Sequence, residues 1–228
     1  MAHVFTSPSP PTLAVAGQDD VFPIRRVFCV GRNYEAHARE MGNDPDREPP
    51  FFFTKPADAV VQTPFNMPYP VQTSDLHHEI ELVVGIGKGG ADIAPDDVPK
   101  HVWGATVGID FTRRDLQQIA KDTRRPWDMS KGFDNSAPMA PIVPMQNVAS
   151  LTAGRIWLKV NGALRQESDI SQMIWSVNDH VAYLSQYVTL APGDIIMTGT
   201  PAGVAAVGKG DVLEGGVDGI ATLRVEIS

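Results

Sequence analysis

The chain has 228 residues, of which 43% are hydrophobic and 20% charged, and a formal net charge of −8. That length can bury one full core and is read as a single domain. The acidic balance excludes a nucleic-acid surface, which needs clustered Lys and Arg, and no apolar run reaches the roughly 18 residues of a transmembrane helix.

The start, Met1 to Gly17, lacks a basic segment followed by a long apolar core, so no secretory signal is expected. With Pro8, Pro10 and Pro11 it reads as a loose extension over about residues 1–20, ahead of one catalytic domain over 21–228. Arg26 to Val30 reads as a strand ended by Gly31. It contains the single cysteine, Cys29, which excludes an internal disulfide and suits a reducing cytoplasm; its apolar neighbours mark a buried structural thiol. Asn33 to Met41 reads as a short helix with Gly42 and Asn43 as stop signals. Asn43 to Pro50 reads as a surface loop, Phe51 to Thr54 as a strand, and Val60 to Gln72, with three prolines, as extended and irregular.

Leu76 to Ile86 alternates. Leu76, His78, Ile80, Leu82, Val84 and Ile86 share one parity, and His77, Glu79 and Glu81 the other, so a single strand would stand Glu79 beside Glu81 on one face. Ala94 to Pro99 reads as a loop or turn, and Val102 to Ile109 as a strand ending in Asp110. Thr112 to Lys121 reads as a helix in which Thr112 and Asp115 resemble a capping box. Arg124 to Pro144 carries four prolines and reads as irregular. Asn161-Gly162 between two strand-like runs is a strong hairpin signal. Ser176 to Tyr187 fits an amphipathic helix with Ser176 at its N-cap. Asp194 to Met197, Asp211 to Leu213 and Ile220 to Ile227 close the chain as strands. Strands dominate and helices are few, which indicates a β-rich α+β fold and not alternating βαβ units.

Two adjacent carboxylates repel unless a proton or cation lies between them. Glu79 and Glu81 therefore fit a hard-metal site or, equally on spacing, a solvated edge strand. Asp110, at a strand end, is the natural third ligand. Three carboxylates with no cysteine favour Mg²⁺ or Mn²⁺, with Ca²⁺ possible, over Zn²⁺. His77-His78-Glu79 is not the His-Glu-x-x-His of a metalloprotease helix. Gly85-Ile-Gly87-Lys-Gly89-Gly90 reads as a glycine-rich turn, since the proline-bearing segment after it does not open a helix for a dinucleotide. His37 and Glu40, three apart, could pair as an oriented base or as an ordinary surface pair. Thr198-Gly-Thr-Pro201 ends a strand in a tight turn whose hydroxyls and N–H groups could hold a carboxylate.

Several motifs in order resemble the fumarylacetoacetate hydrolase family. They are Gly31-Arg-Asn-Tyr with His37 and Glu40, Lys55-Pro56, His77-His-Glu-x-Glu81, Gly108-Ile-Asp110 with Arg114-Asp115 and Gln117, Lys131, the Asn161-Gly162 hairpin with Arg165-Gln166, and Gly193-Asp-Ile-Ile-Met-Thr-Gly-Thr-Pro201. The resemblance implies a mixed β roll of packed sheets with a few short helices, and a homodimer. It implies Mg²⁺ or Mn²⁺ on Glu79, Glu81 and Asp110, water activation by His37 and Glu40, and charge stabilisation by Lys131. Substrate contacts fall to Arg32, Tyr34, Arg114, Gln117 and Thr200. The implied activity is hydrolysis of the C–C bond of an acylpyruvate, a small dianionic 2,4-dioxo acid. Fumarylpyruvate, giving fumarate and pyruvate in gentisate degradation, suits the segment Met41 to Asp58. Oxaloacetate decarboxylation, hydroxymuconate-type isomerisation or decarboxylation, and non-catalytic binding of a small acid are the alternatives on the same site.

Overall fold

The structure is a computed structural model that describes residues 4–6, 9–35 and 49–228. The helix expected over Asn33 to Met41, and with it His37 and Glu40, lies largely outside the described residues. An eight-stranded sheet forms the centre. Its order is Phe51–Lys55, Arg26–Gly31, Asp194–Met197, Ile80–Ile86, Val102–Ile109, Ala137–Met139 and Val60–Gln62, with Val143–Pro144 also paired to Val102–Ile109. A five-stranded sheet runs Ala163–Asp169, Arg155–Val160, Val212–Val217, Ala221–Ile227 and Phe65–Met67. Thr112–Arg113, Leu76–His78 and Ala205–Val207 make a small third sheet. Among the described residues are the α-helices α1 (Arg114–Asp122), α2 (Asp128–Lys131) and α3 (Val177–Ser185). None of the described helices is long and apolar enough to cross a membrane.

The central strand Ile80–Ile86 is buried at every residue, on both faces. Leu82, Val84 and Ile86 face the main core, where they join Ile156, Leu158, Leu213 and Val225 of the five-stranded sheet. Val83 faces a second core with Val27, Cys29, Ile195 and Met197. That second core is covered by Thr12–Ala14, paired antiparallel with Val21–Pro23, through Leu13, Val15 and Phe22. The expected loose extension is thus corrected from Thr12 onward: alternating apolar side chains there found a second face of the sheet to bury. Gly85 leaves room for this cover, since a Cβ there would meet the Phe22 ring at 2.9 Å and Ile142 at 2.7 Å.

Local signals hold well elsewhere. Asn161 and Gly162 turn the hairpin with positive φ of 52° and 78°. Ser176 caps α3 in a full capping box with Asp179. The Thr112–Asp115 capping box does not form. Thr112 is drawn into the small sheet opposite His77, α1 starts without a side-chain cap, and the Asp115 carboxylate instead accepts from Thr73 Oγ1 and the Ser74 N–H. Arg124 to Pro144 is also more regular than expected, containing α2 and two short strands.

His180 on α3 is fully buried, and among the described residues its Nε2 has no hydrogen-bond partner. Burial lowers its pKa to about 4, against a contact with the Trp175 carbonyl that raises it. The folded value lies below the ordinary 6.5, so the unfolded chain takes up the proton first and stability falls as pH drops from 6.5 towards 4. Between pH 7 and pH 5 the wild type is expected to lose about 2 kcal/mol more than His180→Met. Urea unfolding of both proteins at the two pH values measures this; parallel losses would show that His180 does not carry the acid sensitivity.

Candidate active site

The alternating run Leu76 to Ile86 is two strands. Leu76–His78 belongs to the small sheet and Ile80–Ile86 to the central one, and Glu79 is the hinge between them. The change of sheet explains why both acids can lie inside: Ile80–Ile86 is flanked on each side by another strand, which removes the solvated-edge reading. Register places Glu81 opposite Gly108, and the Asp110 N–H donates to the Glu79 carbonyl at 2.8 Å. Asp110 is thereby held next to Glu79 and Glu81. One carboxylate oxygen from each lies within 4.8 Å of the others, and the residues are 6%, 1% and 0% exposed.

Cations compensate two of these acids. The Lys131 ammonium, at the end of α2, lies 2.8 Å from Glu79 Oε2 and 2.6 Å from Asp110 Oδ2. Burial alone would lower its pKa; Asp110 and Glu79 outweigh that and leave it above the ordinary value. Arg114, the first residue of α1, donates to Glu79 Oε1 and, at 2.6 Å, to Gln117 Oε1. Lys55 Nζ lies 2.8 Å from Asp110 Oδ1, and it also donates to the carbonyls of Phe111 (3.1 Å) and Lys131. Glu81 is different. Among the described residues it pairs with no cation and accepts one hydrogen bond, from the Gly199 N–H at 2.8 Å. Burial, then Asp110, then Glu79 push its carboxyl well above the usual range.

This donor set fits a hard divalent ion: three buried carboxylates, oxygen donors only, one of them without a cation. Asp110 Oδ1 is also a buried oxygen that, among the described residues, has the Lys55 ion pair but no hydrogen bond of good geometry. Residues that could hold Mg²⁺ or Mn²⁺ are therefore Glu79, Glu81 and Asp110.

The Thr198-Gly-Thr-Pro turn does hold a carboxylate, but it is that of Glu81. Gly199 has φ 93°, and a Cβ there would meet Asn33 Cβ at 2.7 Å, so only glycine brings its N–H to this place. Thr200 Oγ1 donates to the Ile80 carbonyl and accepts from Gln166 Nε2, both at 2.8 Å. Its hydroxyl proton is committed internally, which leaves the oxygen only accepting capacity for any further partner. Gln166, named in the motif set without a role, is a buried hub: its Oε1 also accepts from His78 Nδ1 and the Ile80 N–H. Lys55 was likewise named in the motif set, as Lys55-Pro56, without a role.

Above the carboxylates lies a cleft lined by Arg32, Arg114, Gln117, Lys121, Lys131 and Thr200, with Phe51, Phe53 and Trp127 as an aromatic wall. Arg32 has φ 58°, and its guanidinium lies 5.4 Å from the Phe51 ring centre. Tyr34 is not brought to this cleft. It is buried and lines a separate cavity with Glu167, Gln172 and Pro201. The structure thus gathers Lys131, Arg32, Arg114, Gln117 and Thr200 in the cleft beside the carboxylates, while Tyr34 stands outside its lining, its hydroxyl pushed up by burial and then by Glu81. Cys29 is buried behind the site, its thiol pushed up by burial and then by Asp110. The glycine-rich Gly85 to Gly90 opens no helix; Gly90 bridges to Leu190.

Comparison with known proteins agrees with this geometry. The family model described as fumarylacetoacetate (FAA) hydrolase C-terminal matches residues 26–228. A fumarylpyruvate hydrolase of Ralstonia sp is 42% identical over 189 residues, covering 82% of this chain and 98% of the relative. A mitochondrial oxaloacetate decarboxylase of Dictyostelium discoideum is 40% identical over 199 residues, covering 87% of this chain and 91% of the relative. The crystal structure of fumarylpyruvate hydrolase from Pseudomonas aeruginosa in complex with Mn²⁺ and pyruvate is similar with a TM-score of 0.97 at 51% identity, and 99% of each chain is covered. With these likenesses along nearly its whole length and a buried acidic trio at its centre, the chain belongs to the fumarylacetoacetate hydrolase family.

Proposed function

We propose that the protein is a metal-dependent C–C bond hydrolase of 2,4-dioxo acids, acting on fumarylpyruvate to give fumarate and pyruvate. The observation that carries this is the buried trio Glu79, Glu81 and Asp110, of which Glu79 and Glu81 line a cleft together with four cations, Arg32, Arg114, Lys121 and Lys131. The similarity to a structure holding Mn²⁺ and pyruvate supports it. Held by the three carboxylates, Mg²⁺ or Mn²⁺ would supply Lewis-acid charge for the C1 carboxylate, the 2-oxo oxygen and the enolate that develops from it.

The chain's own groups do the remaining work. Arg114 and Gln117 orient the carboxylate end of the substrate. Thr200, with its proton committed to Ile80, can only accept, so it suits a donor group and not a carboxylate oxygen. Glu40 orients His37, which takes a proton from water; the hydroxide adds to C4. The C3–C4 bond breaks with its electron pair left on the pyruvate fragment, and protonation at C3 completes pyruvate. Lys131, fixed at the carboxylates, stabilises the negative charge that builds up on the leaving enolate. We further read the protein as a cytoplasmic homodimer serving aromatic catabolism, which the family resemblance supports.

Oxaloacetate decarboxylation is the second reading, favoured by the 40% identical Dictyostelium relative. It uses the same enolate stabilisation and differs in the group lost. The deciding assay incubates the Mn²⁺-loaded protein with fumarylpyruvate, maleylpyruvate, acetylpyruvate and oxaloacetate, following pyruvate, fumarate and CO₂. Equimolar fumarate and pyruvate from fumarylpyruvate is the expected result; CO₂ from oxaloacetate with no acylpyruvate cleaved would establish the decarboxylase instead. His37→Ala is expected to lower kcat for hydrolysis by about 10²–10⁴ while Mn²⁺ content and oxalate binding persist. Full hydrolysis by that variant would remove His37 from the role of base.

A further inference from the structure

Helix α1 carries Arg114, Gln117 and Lys121, spaced so that they share one face of the helix. All three line the cleft. Arg114 and Gln117 are engaged, with Glu79 and with each other. Lys121 is not: among the described residues its ammonium meets no carboxylate and no hydrogen-bond acceptor, and lies 5.5 Å from the centre of the Trp127 ring. Burial, then the neighbouring Arg114 and Arg32, lower its pKa, with Glu79 opposing. Trp127 continues as an aromatic wall, with Phe51 at 5.3 Å and Phe53 at 5.8 Å between ring centres. A flat conjugated chain can lie along such a wall with a charge at its end.

The distances agree. Seven residues of helix advance about 10 Å from Arg114 to Lys121, and helical side chains lean back towards the N-terminus. An extended seven-carbon dioxo acid has six C–C bonds of about 1.5 Å each, an end-to-end span of somewhat under ~9 Å. An acid held by its first carboxylate at the Arg114 end would present its last carboxylate to Lys121.

We propose that Lys121 reads the far carboxylate of a dianionic acyl group, so that the cleft takes 2,4-dioxo acids ending in a second carboxylate over those ending in methyl. This rests on the acylpyruvate reading above. The test measures the ratio of kcat/KM for fumarylpyruvate to that for acetylpyruvate. Lys121→Met keeps most of the stem and removes the charge; it is expected to lower the ratio about 10- to 100-fold, the scale of one charged hydrogen bond in a partly dry site. Lys121→Arg, which keeps the charge, is expected to restore most of it. Lys121→Gln serves as a second neutral variant, and thermal melting confirms that each variant is folded. An unchanged ratio in a folded, active Lys121→Met enzyme overturns the inference and leaves the acylpyruvate reading standing. If the wild type cleaves neither acylpyruvate, that reading falls, and binding decides Lys121 by itself. Fumarate is then compared with crotonate, the same trans four-carbon chain with one carboxylate fewer. A wild-type preference for fumarate that collapses in both neutral variants supports the role, and a preference they retain refutes it.

Discussion

Glu81→Gln is expected to abolish metal-dependent stabilisation and turnover together, while leaving the metal-free protein at least as stable as the wild type. Glu81 is the acid of the trio for which no cation is provided among the described residues, and burial with Asp110 and Glu79 opposes its charge. Glutamine keeps the shape and can still accept from the Gly199 N–H. It removes a buried group whose ionised form is costly in the absence of metal. With metal the sign reverses. A ligand present at a thousand times its Kd stabilises the wild type by about 4 kcal/mol, and the variant should gain almost none of this. Turnover should fall by about 10³-fold or more, the scale of losing a preorganised charge at the reacting centre. Melting curves with and without Mn²⁺, paired with elemental analysis, measure both halves. A variant that melted lower without metal yet retained its Mn²⁺ shift would remove Glu81 from the ligand set.

This trade of apo stability for a site is built by the change of sheet at Glu79, and it marks the boundary of what the sequence reveals. Features set by neighbouring residues were legible: the Asn161-Gly162 turn, the Ser176 cap, and the strand Val102–Ile109 ending at Asp110. Their information lies within a few residues and no distant partner competes with it. Leu76 to Ile86 looked like one amphipathic strand because alternation records only that side chains point to two sides. It does not record that the odd side is also covered, here by a hairpin from Thr12–Ala14 and Val21–Pro23. Thr112 likewise follows local capping preference until pairing with His77 claims it. Glu79 and Glu81 were found because like charges at close spacing have few stable environments, and Asp110 because it stands at the end of an apolar strand. Lys55 and Gln166 were named within motifs but given no role, because neither has a local pattern that assigns one: Lys55 reaches Asp110 only after Phe51–Lys55 joins the edge of the central sheet, and Gln166 reaches His78 and Thr200 only after the hairpin docks.

Lys131→Met is expected to weaken both folding and catalysis, and metal separates the two effects. In the metal-free protein the ammonium contacts Glu79 and Asp110 and is 3% exposed. Removing one member of a buried ion pair strands the other, at a cost of about 3–5 kcal/mol. Arg114 still reaches Glu79, and Lys55 still lies beside Asp110, so the loss should sit nearer the lower figure. Saturating Mn²⁺ brings positive charge to the same carboxylates and should return much of the lost stability. Catalysis should not return with it. If Lys131 serves the leaving enolate, the metal-loaded variant binds oxalate normally yet turns over about 10²–10³-fold more slowly. Were Lys131 only a counter-ion for the empty carboxylates, metal would restore kcat along with stability. Denaturant unfolding at zero and saturating Mn²⁺, followed by single-turnover kinetics on the same metal-loaded sample, distinguishes these outcomes. A kcat at the wild-type level in the metal-loaded, fully folded variant would remove Lys131 from the chemistry and leave it a structural counter-charge.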